Sequence, residues 1–246
     1  SSALAVSHSR IRELAELAMA MEGVYKLYFG ESNIPTPPFI RDAAARAMNE
    51  GFTYYTSNAG LASTREALAD YYAAKHGVAL DAEREIIVTT SGVQALNVAI
   101  RCALDPGDEA ILLTPAWPNA TSITQMCNAK PVQLAQPIER TQSGSVRYTV
   151  DFDALEAALT PRTRLLLYTS PSNPLGWVAN EQEQPRLLEF ARRNKLWLLA
   201  DEVYERLWYE GGSLGTVVPS ILRYATREDS VIVAQSFSKS YCMTGW

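Results

Sequence analysis

The chain has 246 residues, 47% hydrophobic and 20% charged, with a formal net charge of −5. That length buries a core of one large domain or slightly more, and the acidic balance argues against nucleic acid or an anionic membrane as the main partner. Cys102, Cys127 and Cys242 are odd in number and have no paired short spacing, so they read as reduced thiols of a cytosolic-type protein, with no metal site expected.

No apolar stretch approaches the ~20 residues that cross a bilayer, and no secretory leader pattern opens the chain. The sequence begins without Met and stops at Trp246, and both ends are expected to be cut from a longer chain.

Ile11, Leu14, Leu17, Ala18 and Met21 recur at helical spacing and predict an amphipathic first helix over 10–22. Pro35, Pro37 and Pro38 then impose an extended loop. Helices are predicted near 41–49 and over 62–76, on either side of the segment Tyr54-Tyr55-Thr56-Ser57-Asn58-Ala59-Gly60.

From residue 85 strands and helices alternate. The apolar runs Ile86–Thr90, Ala110–Leu113, Val132–Leu134, Leu165–Tyr168, Leu196–Leu199 and Val231–Val233 read as strands. Helices are predicted over 93–104, 117–128 and 152–159. Asn180 with Glu183 forms a capping box for another helix ending near Asn194. This alternation predicts an α/β fold, a mainly parallel sheet flanked by helices. Such sheets bind ligands beyond the carboxyl ends of their strands, so the residues just after each apolar run are the ones to weigh.

After the first strand, Ser91-Gly92-Val93 leads into a helix, whose first-turn N–H groups can bind an anion; an ordinary capped helix has the same pattern. Trp117 follows the second strand and can stack on a flat ring, or simply pack at the rim. Asn173 sits in the turn Ser170-Pro171-Ser172-Asn173-Pro174-Leu175-Gly176, where its amide can donate to a ligand oxygen.

Asp201 ends a fully apolar run, so its carboxyl needs a partner, either a protonated ring nitrogen or a nearby arginine. Tyr204 lies three residues on. Of five lysines, Lys239 alone follows an apolar strand among serines with no neighbouring acid, surroundings that lower an amine pKa.

In this order, these segments resemble the class I/II, fold-type I aminotransferases that use pyridoxal 5'-phosphate. The resemblance runs from Gly30 to Trp246. Its most specific part is Ser236-Phe237-Ser238-Lys239-Ser240-Tyr241-Cys242-Met243-Thr244-Gly245-Trp246. It implies a Schiff base on Lys239, with Asp201 on the ring nitrogen and Asn173 and Tyr204 on the ring oxygen. Trp117 would stack on the ring, and Ser91, Gly92, Val93 and Ser236 would hold the phosphate. Gly30, with Asn173, would lie beside the substrate. Tyr55 would reach the phosphate of a neighbouring subunit, implying a homodimer.

The implied activity is amino-group transfer between an amino acid and a 2-oxo acid, in cytoplasmic amino-acid metabolism. Residues 1–30 would belong to the small domain and 31–246 to the cofactor-binding large domain. The family's C-terminal small domain would be absent, so this piece alone is expected to bind the cofactor weakly and to transaminate negligibly. Leu175 and Cys242 depart from the family's common residues, and both read as packing variation.

Two readings share the fold: a pyridoxal-phosphate lyase or synthase, and the aminotransferase-like sensor domain of a transcription regulator. A nicotinamide-dependent reductase rests only on Tyr71-x-x-x-Lys75, expected on a helix surface, and no Gly-x-Gly-x-x-Gly follows any predicted strand. Arg41 and Arg65, possible contacts for acidic substrates, have solvated helix surface as their default.

Overall fold

The structure is a computed structural model, and it describes residues 6, 8, 10–140, 144–209 and 216–246. Three helices come first: α1 (Arg10–Met19), α2 (Pro38–Asn49) and α3 (Ala62–His76). Alternation then begins with α4 (Gly92–Ala103), β1 (Glu109–Thr114), α5 (Asn119–Met126) and β2 (Lys130–Ala135). The hairpin β3 (Ile138–Arg140) and β4 (Val146–Tyr148) and α6 (Phe152–Ala157) precede β5 (Thr163–Thr169). The chain continues through α7 (Glu183–Arg193), β6 (Trp197–Asp201), β7 (Val231–Ala234) and α8 (Phe237–Ser240).

The main sheet has the order β2-β1-β5-β6-β7, and every pairing in it is parallel. Its central strands are apolar throughout because both faces are covered. Successive side chains point to opposite faces. Ile111, Leu166 and Leu198 therefore pack with Leu187, Leu188 and Phe190 of α7, while Leu112, Leu165 and Leu199 pack with Leu96 and Ile100 of α4. The strand order reverses between β1 and β5, which opens a crevice at their carboxyl ends.

Local sequence explains several boundaries. Pro38 opens α2 with no side-chain cap, at a position where a missing N–H costs nothing. The capping box before α7 forms: the Asn180 side chain accepts from the Glu183 N–H at 2.9 Å, and the Glu183 carboxylate accepts from the Asn180 N–H at 3.1 Å. Gly60 has φ of +91°, and a Cβ there would lie 2.7 Å from the Val88 side chain, so only glycine closes this turn.

One expected strand does not form. Residues 86–90 form no strand, and no ladder joins them to the free edge of β7. The Val88 N–H donates instead to the Ala59 carbonyl at 3.0 Å, and Ile87 is exposed. The β3–β4 hairpin was not expected, because its three-residue strands are mostly exposed and carry Glu139, Arg140 and Arg147 rather than an apolar alternation. Arg65 also departs from its expected place on a solvated surface: it is buried and donates to the Ala82 carbonyl at 2.6 Å.

At the amino end of the sheet, the buried Glu109 carboxylate accepts from Thr160 at 2.7 Å, Arg162 at 2.9 Å and Lys130 at 3.2 Å. The Thr160 hydroxyl and the Arg162 guanidinium are the strongest influences holding its pKa down, at about 2. A carboxylate lowered in this way contributes stability above the usual range and loses it as pH falls toward 2. Glu109→Gln in the full-length protein is expected to cost about 1–3 kcal/mol at pH 7 by urea unfolding. The difference should shrink below about pH 4. Equal stability of the two proteins at pH 7 would contradict this role.

Candidate active site

The fold brings the chain segments that follow the parallel strands to one edge. Asp201 ends β6, hydrogen-bonded in register between Thr169 of β5 and Ala234 of β7. Trp117, Thr169 and Asp201 line a crevice floored by Leu96 and Leu167, at the reversal between β1 and β5. Burial pushes the Asp201 carboxyl up to about 6, while the Val203 N–H and the Thr169 hydroxyl pull it down. Among the described residues no cationic side chain pairs with it.

Asn173 and Tyr204 meet at the same edge, where the Asn173 amide donates to the Tyr204 hydroxyl oxygen at 3.1 Å. Since the amide donates, the hydroxyl proton of Tyr204 is free for another acceptor. Burial is the main cause that raises the Tyr204 pKa. Gly30 completes this group, because a Cβ there would lie 3.3 Å from the Tyr204 hydroxyl and 3.7 Å from the Asn173 amide.

The Lys239 amine donates to the Gly30 carbonyl at 2.6 Å and lies 5.8 Å from the Tyr204 ring centre. Burial lowers its pKa, and Glu31 opposes that shift. The expectation of no nearby acid is corrected here: Glu31 arrives from a segment over 200 residues away in sequence and hydrogen-bonds Thr244.

The anion site takes shape where α4 meets α8. Ser91 caps α4 by accepting from the Gln94 N–H at 3.1 Å. A Cβ on Gly92 would lie 3.1 Å from the Ser236 Cβ, so the glycine allows the Ser236 side chain to approach the first turn of α4. Val93 follows in that turn and is exposed. First-turn N–H groups and a serine hydroxyl suit a phosphate.

Tyr55 stands apart, fully exposed in the segment between α2 and α3. Tyr71 leaves the helix surface expected for it and donates to Glu205 at 2.6 Å, whereas Lys75 is exposed. Sequence reasoning passed over His76, Thr169, Glu202 and Glu205. Each is buried by residues distant in sequence, so periodicity carries no signal for it.

The residues fit pyridoxal phosphate: a partly buried carboxyl with no cation among the described residues, an amine of lowered basicity, a cradle for an anion that requires Gly92, and an indole in the same crevice as the carboxyl. The raised Asp201 pKa also has a consequence for stability. The folded protein binds a proton that the unfolded chain releases between about pH 4 and 6, so stability falls as pH rises through that window. In cofactor-free full-length protein, Asp201→Asn is expected to gain about 1–3 kcal/mol at pH 7 by urea unfolding and nothing below about pH 4. A loss at pH 7 would contradict the burial argument.

Comparison with known proteins agrees with this geometry. The chain is 32% identical over 243 residues to an aspartate aminotransferase of Pyrococcus horikoshii, covering 99% of this chain and 59% of that one. The crystal structure of the aspartate aminotransferase from Rhizobium meliloti superposes with a TM-score of 0.84 at 34% identity, over 100% of this chain and 60% of that one. An aromatic aminotransferase from Pyrococcus horikoshii gives a TM-score of 0.79 at 29% identity, over 89% and 56% respectively. The chain thus spans about 60% of the length of the curated relatives it matches. None of these matches favours the lyase or the sensor reading. Residues 23–246 match the aminotransferase class I and II family, and the chain belongs to it.

Proposed function

We propose that the whole protein is a pyridoxal-phosphate aminotransferase that moves an amino group between an amino acid and a 2-oxo acid. The observation that carries this reading is the partly buried Asp201 carboxyl, which has no cation beside it among the described residues and lines the same crevice as Trp117. When bound, the cofactor supplies an electron sink that acidifies the α-proton of an attached amino acid.

The chain's own residues do the rest. Asp201 would hold a proton on the ring nitrogen, and the positive N–H it would accept from is the partner its carboxylate requires. Tyr204 and Asn173 donate to the ring oxygen, and Trp117 stacks on the ring. The first turn of α4, with Ser91 and Ser236, binds the phosphate. Lys239 would hold the cofactor through its amine, and that amine, as base and then acid, would move a proton at the substrate α-carbon. Gly30 leaves room beside Asn173 and Tyr204 for the substrate.

The protein works as a homodimer in the cytoplasm, with Tyr55 reaching the phosphate bound by a second copy. Phe39, Phe52, Tyr54, Tyr55 and Leu61 are all exposed within one stretch of the sequence, as side chains covered by a second copy would be in a single subunit. Residues 1–30 go with a small domain and 31–246 form the cofactor-binding domain.

Full-length protein incubated with pyridoxal phosphate and reduced with borohydride is expected to carry the cofactor on the Lys239 peptide. Lys239→Ala should lose that adduct and the visible absorbance, and amino transfer from an amino acid to a 2-oxo acid should fall roughly 10²–10⁴-fold. An adduct on a different lysine, or release of ammonia in place of a new amino acid, would refute this reading.

A further inference from the structure

Two acids, Glu202 and Glu205, lie in the turn after β6, and Glu205 is held from outside the site. Tyr71 donates to one of its oxygens at 2.6 Å, and the His76 Nε2 lies 3.1 Å from the other. The Ser220 N–H donates to His76 Nδ1 at 3.2 Å, so Nδ1 is an acceptor and Nε2 carries the proton directed at Glu205. Both the His76 and Glu205 side chains are buried. Gly77, in the left-handed conformation, ends α3 immediately after His76 and fixes where that ring enters the core.

The turn itself is tied down by three backbone bonds. The Glu205 N–H donates to Glu202 at 3.0 Å, the Leu207 N–H to Tyr204 at 2.8 Å and the Val218 N–H to Glu205 at 2.9 Å. Next in sequence, the Arg206 guanidinium lies 5.2 Å from the Tyr71 ring and 5.2 Å from the Tyr241 ring, two residues beyond Lys239. Helix α3 therefore grips the turn from behind, on the residue that follows Tyr204.

We propose that Glu205, held by His76 and Tyr71, is a positioning residue that aims Tyr204 at the cofactor oxygen. This rests on the pyridoxal-phosphate reading above. A carboxylate held by a buried imidazole and a partly buried phenol locks its own backbone in place, and small displacements near a reacting centre have large consequences for rate. Glu205 touches neither Asn173 nor Lys239 in the hydrogen-bond network of the described residues; its carboxylate also lies 4.0 Å from the Arg206 Nε, and its link to the site is the peptide bond it shares with Tyr204.

The test uses full-length protein loaded with pyridoxal phosphate, as wild type, Glu205→Gln, Tyr204→Phe and the double variant. The readouts are the pH midpoint of the visible absorbance and the melting temperature without cofactor. A donor to the ring oxygen favours its charged form, so losing it raises the midpoint. Glu205→Gln is expected to raise the midpoint by about half a pH unit or more, in the direction of Tyr204→Phe. In the Tyr204→Phe background it should add nothing, because both changes remove the same contact. Tyr71→Phe, which deletes one donor from a partly exposed ring, should give a smaller shift of the same sign and covers the case of Glu205→Gln misfolding. Additive shifts, or a lower melting temperature with the midpoint unmoved in Glu205→Gln and Tyr71→Phe, would overturn the proposal. A wild type that forms no absorbance band defeats the functional reading itself, and the role of Glu205 with it.

Discussion

A partly buried carboxyl group at the carboxyl end of β6, with no cationic partner among the described residues, sets the terms for the rest of the site. Asp201 is there because β6 runs apolar from Leu198 to Ala200 and ends where the sheet opens. Hydrogen bonds from the Val203 N–H and Thr169 offset only part of the cost of burial. A group of this kind is stable when neutral or when a cation meets it, and Trp117 lines the crevice beside it.

The buried acids divide by the end of the sheet they occupy. Glu109 at the amino end meets two cations and a hydroxyl and stays well below the usual carboxylate range, as a structural staple does. At the carboxyl end Asp201, which ends β6, and Glu202 and Glu205 of the following turn are treated differently. Burial pushes Glu202 up to about 8, with one oxygen accepting from the Ile221 N–H and the other unpartnered among the described residues. Glu205 takes its donors from α3, and Asp201 is left for a ligand. Perturbed carboxyls gather where function needs them, whereas well-paired ones mark stability.

Much of this was legible in the sequence because it is local. Leu165–Tyr168 and Leu196–Ala200 announce buried parallel strands by apolar run alone, and the residue after each run falls at the carboxyl edge automatically. Asp201, Asn173, Trp117 and Lys239 were found in that way. The capping pair Asn180 and Glu183 was visible from its three-residue spacing. What stayed hidden depends on partners far along the chain. Residues 86–90 have the composition of a strand, but strand status belongs to a pair, and β7 does not pair with them. His76 and Arg65 look like solvated helix positions until Glu205 and the Ala82 carbonyl arrive to bury them. Glu31 lies 208 positions before Lys239 in the numbering, and nothing local announces that the two meet.

The central claim is that the Asp201 carboxylate is matched by a positive charge on the bound ring. Nitrogen-15 NMR of full-length protein loaded with ring-labelled pyridoxal phosphate reads that charge directly. The account predicts a protonated-pyridine shift in the wild type at pH 7 and a neutral-pyridine shift in Asp201→Ala. A neutral ring nitrogen in the wild type would contradict it.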